Sequence, residues 1–135
     1  MPAADAGVKV AYSIRWSMDL DDVTILHNPR CTKSRETLAL LQARDINPLV
    51  IDYLARPPSV SELKEILGKL EIAARELVRK DEPEYRNLGL HDEAIDEDAL
   101  IAAMHAHPRL IQRPIVLANG KAAVGRPPEA ILDIL

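Results

Sequence analysis

The feature that most constrains the fold of this chain is a strand, a helix and a second strand in close succession around residue 31. Residues 23–26 (VTIL) form an apolar, β-branched run that ends in the turn-forming sequence HNP. Residues 32–44 contain no glycine or proline and are rich in helix formers, which predicts a helix beginning near Cys31. Residues 49–51 (LVI) then return to strand character. The pattern predicts a βαβ unit with parallel strands and a right-handed crossover.

The rest of the chain alternates between helical and hairpin patterns. Ser59 with Glu62 three residues later is a capping-box pattern, and apolar residues follow it at helical spacing. The pair Asn119-Gly120 between two short apolar runs predicts a β-hairpin. Further helices are predicted over residues 72–78, from Asp96 towards Pro108, and over residues 127–135.

This order of elements indicates an α/β fold with a thioredoxin-like mixed sheet, β-α-β followed by β-β-α. We expect residues 18–135 to form a single domain with a helical insertion at about residues 59–110. Residues 1–17 precede the first convincing strand, so we interpret them as a leader or a vector-derived segment and expect them to be mobile.

Charge and composition exclude several classes of function. A net charge of −4 and a chain with three Tyr, one Trp and no Phe do not favour binding to nucleic acid. No apolar stretch is long enough to span a membrane. The single cysteine cannot form an internal disulfide, which favours a reducing compartment, so we expect a cytoplasmic protein. We also expect a monomer.

Cys31 is the candidate nucleophile. It lies between the first strand and the first helix, where unpaired backbone N–H groups and the helix dipole favour a thiolate. Arg30 and Lys33 flank it, and His27 lies across the turn, where an imidazole can help to stabilise the thiolate. A lone cysteine is more often an inert buried residue, but these polar neighbours favour a reactive one. Ser34 occupies the second position of a Cys-x-x-Cys spacing, so the chain has no internal resolving thiol.

Three arginines stand out by their context, namely Arg79, Arg113 and Arg126. Arg79 follows the predicted helix over residues 72–78. Arg113 and Arg126 each adjoin a strand and a proline turn in the hairpin region. Their planar guanidinium groups match the geometry of an oxyanion. The pattern therefore indicates an oxyanion site, although most arginines are simply solvated surface residues.

Four sequence segments together resemble the signatures of the glutaredoxin-dependent arsenate reductase (ArsC) family, in particular a short branch of it. They are HNPRCTKSR at 27–35, LVRK at 77–80, QRPIV at 112–116 and GRPPE at 125–129. Their order agrees with the family across residues 23–135. The resemblance implies a nucleophilic Cys31, a His27 that helps to ionise it, and an arsenate-binding triad of Arg79, Arg113 and Arg126. It also implies a cis peptide bond before Pro114.

The expected reaction is the reduction of arsenate to arsenite. A Cys31 adduct contains only one protein sulfur, so the resemblance implies glutathione as co-substrate and glutaredoxin as the protein that removes it. One cysteine and four scattered histidines offer no ligand set, so neither a metal nor a bound cofactor is expected. Two alternatives stay open: a glutathione-linked thiol reductase for another substrate, and a transcriptional regulator of the Spx type that binds RNA polymerase. Ser34 disfavours the regulator, because the Spx type resembles proteins with a Cys-x-x-Cys redox switch and serine takes the place of the second cysteine here.

Overall fold

The computed structural model describes residues 9–10 and 23–135, and these belong to two compact units. The first unit combines the residues up to Arg56 with Arg113–Leu135, and the second is Pro57–Gln112. The expected insertion at residues 59–110 lies within the second unit. The interpretation of residues 1–17 as a leader concerns residues that, except for Lys9 and Val10, lie outside the described ones.

The first unit contains a mixed sheet whose order, among the described residues, is β1-β3-β2-β4-β5. The central strand β2 pairs in parallel with β3 and antiparallel with β4, and β5 completes the hairpin with β4. The short β1 adds to the other edge of β3 in parallel. The parallel βαβ unit and the hairpin predicted from the sequence are therefore confirmed. The strands are β1 (Lys9–Val10), β2 (Thr24–His27), β3 (Leu49–Asp52), β4 (Ile115–Ala118) and β5 (Lys121–Val124).

Helix α1 (Thr32–Ala43) and a closing 3-10 helix (Pro128–Ile134) enclose a core with one face of this sheet. Ile25, Val50 and Val116 lie side by side in the strand register, so their side chains share that face. The core members are Ile25, Leu41, Val50, Val116, Ala118, Ile131 and Ile134. The predicted closing helix is present, but it has 3-10 geometry.

The hairpin turn has the backbone that its sequence predicts. Asn119 and Gly120 both adopt positive φ angles, 54° and 74°, which a tight two-residue turn of type I′ requires. The Asn119 side-chain amide also donates a 2.8 Å hydrogen bond to the backbone oxygen of Ile134. The turn thus ties the hairpin to the closing helix.

The second unit is helical within the described residues. The Ser59 hydroxyl accepts from the Glu62 N–H at 3.0 Å, and the Glu62 carboxylate accepts from the Ser59 N–H at 2.8 Å, so the predicted capping box is present. The Asp96 carboxylate caps the last long helix by accepting from Ala99 N–H at 2.9 Å. The helices are α2 (Val60–Leu70), α3 (Ala74–Leu77), α4 (Pro83–Asn87), α5 (Glu97–Ala106) and a 3-10 turn (Pro108–Leu110).

Two details of this unit differ from the sequence-based expectation. Helix α3 is shorter than the predicted residues 72–78, and α4 was not predicted. A proline in its first turn starts α4, and Gly89 at a φ of 71° follows it. No helix among residues 23–135 is both long and apolar enough to cross a membrane.

Candidate active site

Cys31 occupies the N-cap position of α1 and is partly exposed. Its backbone is extended, with φ of −94° and ψ of 125°, and its N–H donates a 3.0 Å hydrogen bond to the Asn28 carbonyl oxygen. This turn directs the thiol towards the first N–H groups of the helix, which have no partner within the helix. The structure thus confirms that the helix begins directly after the cysteine.

Opposing effects act on the pKa of the Cys31 thiol, and the net result is a pKa below its ordinary value. Partial burial is the largest single effect, and it raises the pKa because it penalises the thiolate. Against it act hydrogen bonds from the backbone of Ser34, the Arg113 side chain and the backbone of Lys33, together with the positive charge of Arg113. The helix terminus and one arginine therefore favour the reactive thiolate.

A buried hydrogen-bond network supports the loop before Cys31. The Ser34 hydroxyl oxygen accepts from the Asn28 N–H at 2.9 Å and lies 2.7 Å from His27 Nδ1. All three residues are almost fully buried. Ser34 is therefore a positioning residue that connects the end of β2 to the first turn of α1.

His27 is linked to Cys31 through Ser34: His27 Nδ1 lies 2.7 Å from the Ser34 hydroxyl oxygen, and the Ser34 backbone N–H stabilises the Cys31 thiolate. Burial lowers the pKa of His27, Arg35 lowers it further, and the nearby Asp52 carboxylate partly opposes both. These effects favour the neutral imidazole. In the tautomer that carries its proton on Nε2, Nδ1 accepts the hydrogen of the Ser34 hydroxyl. The role of His27 in ionising Cys31 stays a prediction.

Two of the three predicted arginines lie beside the sulfur. Arg126 Nη2 donates to Sγ at 3.9 Å, and the Arg113 guanidinium lies close enough to lower the Cys31 pKa by its hydrogen bonding and its charge. Arg126 is itself fixed by a 2.8 Å hydrogen bond from its Nε to the Arg113 carbonyl oxygen. Arg126 is exposed, whereas Arg113 is half-buried and its Nε has no hydrogen-bond partner among the described residues. The pair places two cations next to one thiolate.

The backbone at Gly125 packs closely against helix α1, and this contact holds the next residue, Arg126, beside the Cys31 sulfur. A Cβ added at Gly125 would lie 2.5 Å from Thr37 Oγ1 and 2.8 Å from Pro114 Cγ. Only glycine leaves room for this contact. The peptide bond before Pro114 is cis, as the resemblance implies, and so is the Arg126–Pro127 bond, which was not predicted.

Arg79, the third predicted arginine, belongs to the second unit. Its side chain is only 12% exposed and forms ion pairs of 3.3 Å with Asp81 and with Glu82. Its N–H donates to the Leu110 carbonyl oxygen at 2.6 Å, next to a bridge between Val78 and Ile111. These contacts fix the position of Arg79 within its unit, and its role as an oxyanion ligand stays a prediction.

Sequence reasoning missed Tyr53, which is fully buried near Asn28, Cys31 and Arg113. The predicted parallel pairing of the first two strands contained the signal that could have identified Tyr53. His27 lies opposite Asp52 in the register of β2 and β3, so the residues that follow them, Asn28 and Tyr53, emerge at the same edge of the sheet. No group of potential metal ligands occurs among the described residues. The arrangement is a thiolate with fixed positive charge around it, suited to attack on an anionic electrophile.

Comparison with known proteins places this site in a family. The ArsC family model matches residues 26–134. An arsenate reductase of Neisseria meningitidis serogroup A is 51% identical over 117 residues, 86% of this chain and 100% of the relative. The Escherichia coli K12 protein YfgD, whose name marks it as uncharacterised, is 50% identical over 114 residues, 84% of this chain and 96% of the relative. The solved structure of an arsenate reductase from Vibrio cholerae is 51% identical, with a TM-score of 0.83, and covers 87% of this chain and 100% of that chain.

The fold is thus that of the thioredoxin-like proteins, with a cysteine at the start of the first helix. The chain belongs to the ArsC family.

Proposed function

We propose that this protein is an arsenate reductase that uses the Cys31 thiolate as its nucleophile. The observation that carries the proposal is the group of donors around the sulfur: the first N–H groups of α1, Arg113, and Arg126 at 3.9 Å. A thiolate and an oxyanion repel each other, and two fixed guanidinium groups offset that repulsion. The names of relatives that cover most of the chain support the same substrate.

The reduction requires two electrons and therefore two sulfurs. Cys31 attacks the arsenic atom and displaces an oxygen as water, which gives a Cys31–arsenate adduct. The glutathione thiol attacks the arsenic atom of this adduct and displaces a second oxygen as water, which leaves arsenic bonded to both sulfurs. The glutaredoxin thiolate then attacks the glutathione sulfur: the S–S bond of a glutaredoxin–glutathione disulfide forms, the glutathione S–As bond breaks, and its electron pair stays on arsenic, which becomes As(III). Hydrolysis of the remaining Cys31–As(III) bond releases arsenite and returns Cys31 to its thiolate.

Arg79 is the third arginine of the proposed oxyanion site. Its assignment rests on the LVRK segment at residues 77–80, which resembles a family signature. The ion pairs to Asp81 and Glu82 hold its guanidinium in a defined place, and they leave the remaining N–H groups for a further acceptor. The proposal also includes a monomeric protein in the reducing cytoplasm, where glutathione keeps a lone thiol reduced.

The test is arsenite production by the purified protein with glutathione and glutaredoxin, measured beside selenate, phosphate and a glutathionylated peptide. The proposal predicts arsenite release that requires both thiol donors. Turnover of the glutathionylated peptide with no arsenite formed would overturn it in favour of the thiol-reductase alternative, because that reaction needs Cys31 but no oxyanion site.

A further inference from the structure

Tyr53 presents an unusual feature beside Cys31. It lies in the turn directly after β3, its side chain is fully buried, and its hydroxyl makes no hydrogen bond of good geometry to any described residue. Buried polar groups in folded proteins nearly always have a partner, because an unpaired one keeps its full desolvation cost. A buried hydroxyl with no partner of good geometry among the described residues is available to bond a ligand at the candidate active site.

The surroundings of this hydroxyl define the chemistry of that partner. Its neighbours are Cys31, Arg113 and Asn28, and Arg113 and Asn28 act on the phenol oxygen as hydrogen-bond donors, since this bonding lowers the Tyr53 pKa. Neither of them therefore takes up the hydroxyl hydrogen, and Arg113 Nε is a second buried donor that has no acceptor of good geometry among the described residues. The two donors favour a group that accepts hydrogen bonds, and the fixed positive charge of Arg113 favours an anionic one.

Burial also fixes the protonation state of this donor. It raises the pKa of Tyr53 to about 12, so the phenol keeps its proton throughout the usual assay range. The hydroxyl therefore donates to an anion without adding a further charge to the site.

We propose that Tyr53 is an oxyanion-binding residue, whose hydroxyl donates a hydrogen bond to an oxygen of the tetrahedral anion held between Arg113 and the Cys31 sulfur. The inference rests on the proposed function and deepens it, because it adds a neutral donor to the predicted arginines.

The test compares the wild type with Tyr53→Phe, which removes only the hydroxyl. Cys31 is alkylated with iodoacetamide, a neutral reagent, at increasing concentrations of arsenate and in the absence of glutathione. The rate against arsenate concentration gives an apparent dissociation constant that does not depend on turnover. We expect arsenate to protect the wild type, and we expect Tyr53→Phe to weaken that protection about 10- to 100-fold, as for loss of a hydrogen bond to a charged group.

The stability of the variant separates a binding role from a structural one. Because the hydroxyl makes no hydrogen bond of good geometry to the described residues, Tyr53→Phe should keep or raise the melting temperature. The matched control is Tyr85→Phe, since the Tyr85 hydroxyl lies 3.5 Å from Arg75 Nη1 in the second unit. Arsenate should protect Cys31 in Tyr85→Phe as well as it does in the wild type.

Three results would overturn the proposal, and they can be told apart. If arsenate does not protect even the wild type, the oxyanion site of the proposed function fails as well. If the wild type and Tyr53→Phe are protected equally, only the role of Tyr53 fails. If Tyr53→Phe instead moves the alkylation curve without arsenate to higher pH, the hydroxyl serves the thiolate and does not bind the oxyanion.

Discussion

Replacing Arg113 by alanine should impair two steps at once, because its side chain contacts the sulfur and faces the proposed oxyanion site. The guanidinium lowers the Cys31 pKa by hydrogen bonding and charge, and its buried Nε has no hydrogen-bond partner among the described residues. A charge-assisted hydrogen bond contributes about 1.5–3 kcal/mol, which corresponds to a loss of about 10- to 150-fold in arsenate kcat/KM if the contact persists in the transition state. The pKa of Cys31 should also rise, because one of the groups that lower it is removed.

The assay combines arsenate kinetics with the pH dependence of Cys31 alkylation by a neutral reagent. Arg113→Ala should lower kcat/KM and move the alkylation curve to higher pH. Arg126→Ala should reduce kcat/KM by about 10-fold, the smallest loss expected for Arg113→Ala, because Arg126 is exposed and 3.9 Å from the sulfur. For the same reason it should move the alkylation curve less than Arg113→Ala does. Arg113→Lys should restore only part of the activity, since lysine keeps the charge and loses the planar fork.

The matched control is Arg44→Ala, which removes an exposed arginine at the opposite end of α1. It should leave both measurements unchanged. An Arg113→Ala variant with an unshifted alkylation curve and kcat/KM within about twofold of the wild type would refute the reasoning, because the loss of a charge-assisted contact is larger than that.

Three further variants test the loop and the backbone around Cys31. His27→Ala removes the partner of the Ser34 hydroxyl, and the Ser34 backbone N–H stabilises the thiolate, so the alkylation curve of Cys31 should move to higher pH. An unchanged curve would mean that the helix terminus and Arg113 suffice without His27. Ser34→Ala removes the hydroxyl that accepts from the Asn28 N–H and pairs with His27 Nδ1. The free energy of unfolding in urea should therefore fall by about 1–3 kcal/mol. A fall below about 0.5 kcal/mol would contradict the positioning role of Ser34. Gly125→Ala should destabilise the fold by about 1–3 kcal/mol through its clash with Thr37, and wild-type stability would disprove the close approach.

Local sequence patterns predicted the elements whose structure depends on neighbouring residues. The capping box at Ser59, the cap at Asp96 and the turn at Asn119 all form as expected, because each is satisfied by side chains and backbone within a few residues. The start of α1 after Cys31 belongs to the same group.

Features that depend on distant residues were harder to predict. The 3-10 geometry of Pro128–Ile134 is set where this segment packs on α1 and the sheet, and local propensity does not specify it. Tyr53 looks like an ordinary residue at the end of a strand until the parallel register places it beside Asn28. The pairing of Ser34 with His27 spans only seven residues, but it depends on how the loop between them folds, which local propensity does not specify.

The central claim is that the Cys31 thiolate carries out arsenate reduction, and the most direct test is Cys31→Ser. The exchange is nearly isosteric and removes the nucleophile alone. Arsenite formation with glutathione and glutaredoxin should fall to the rate without enzyme, while the melting temperature stays close to that of the wild type. Arsenite production by a folded Cys31→Ser protein at the wild-type rate would contradict the account.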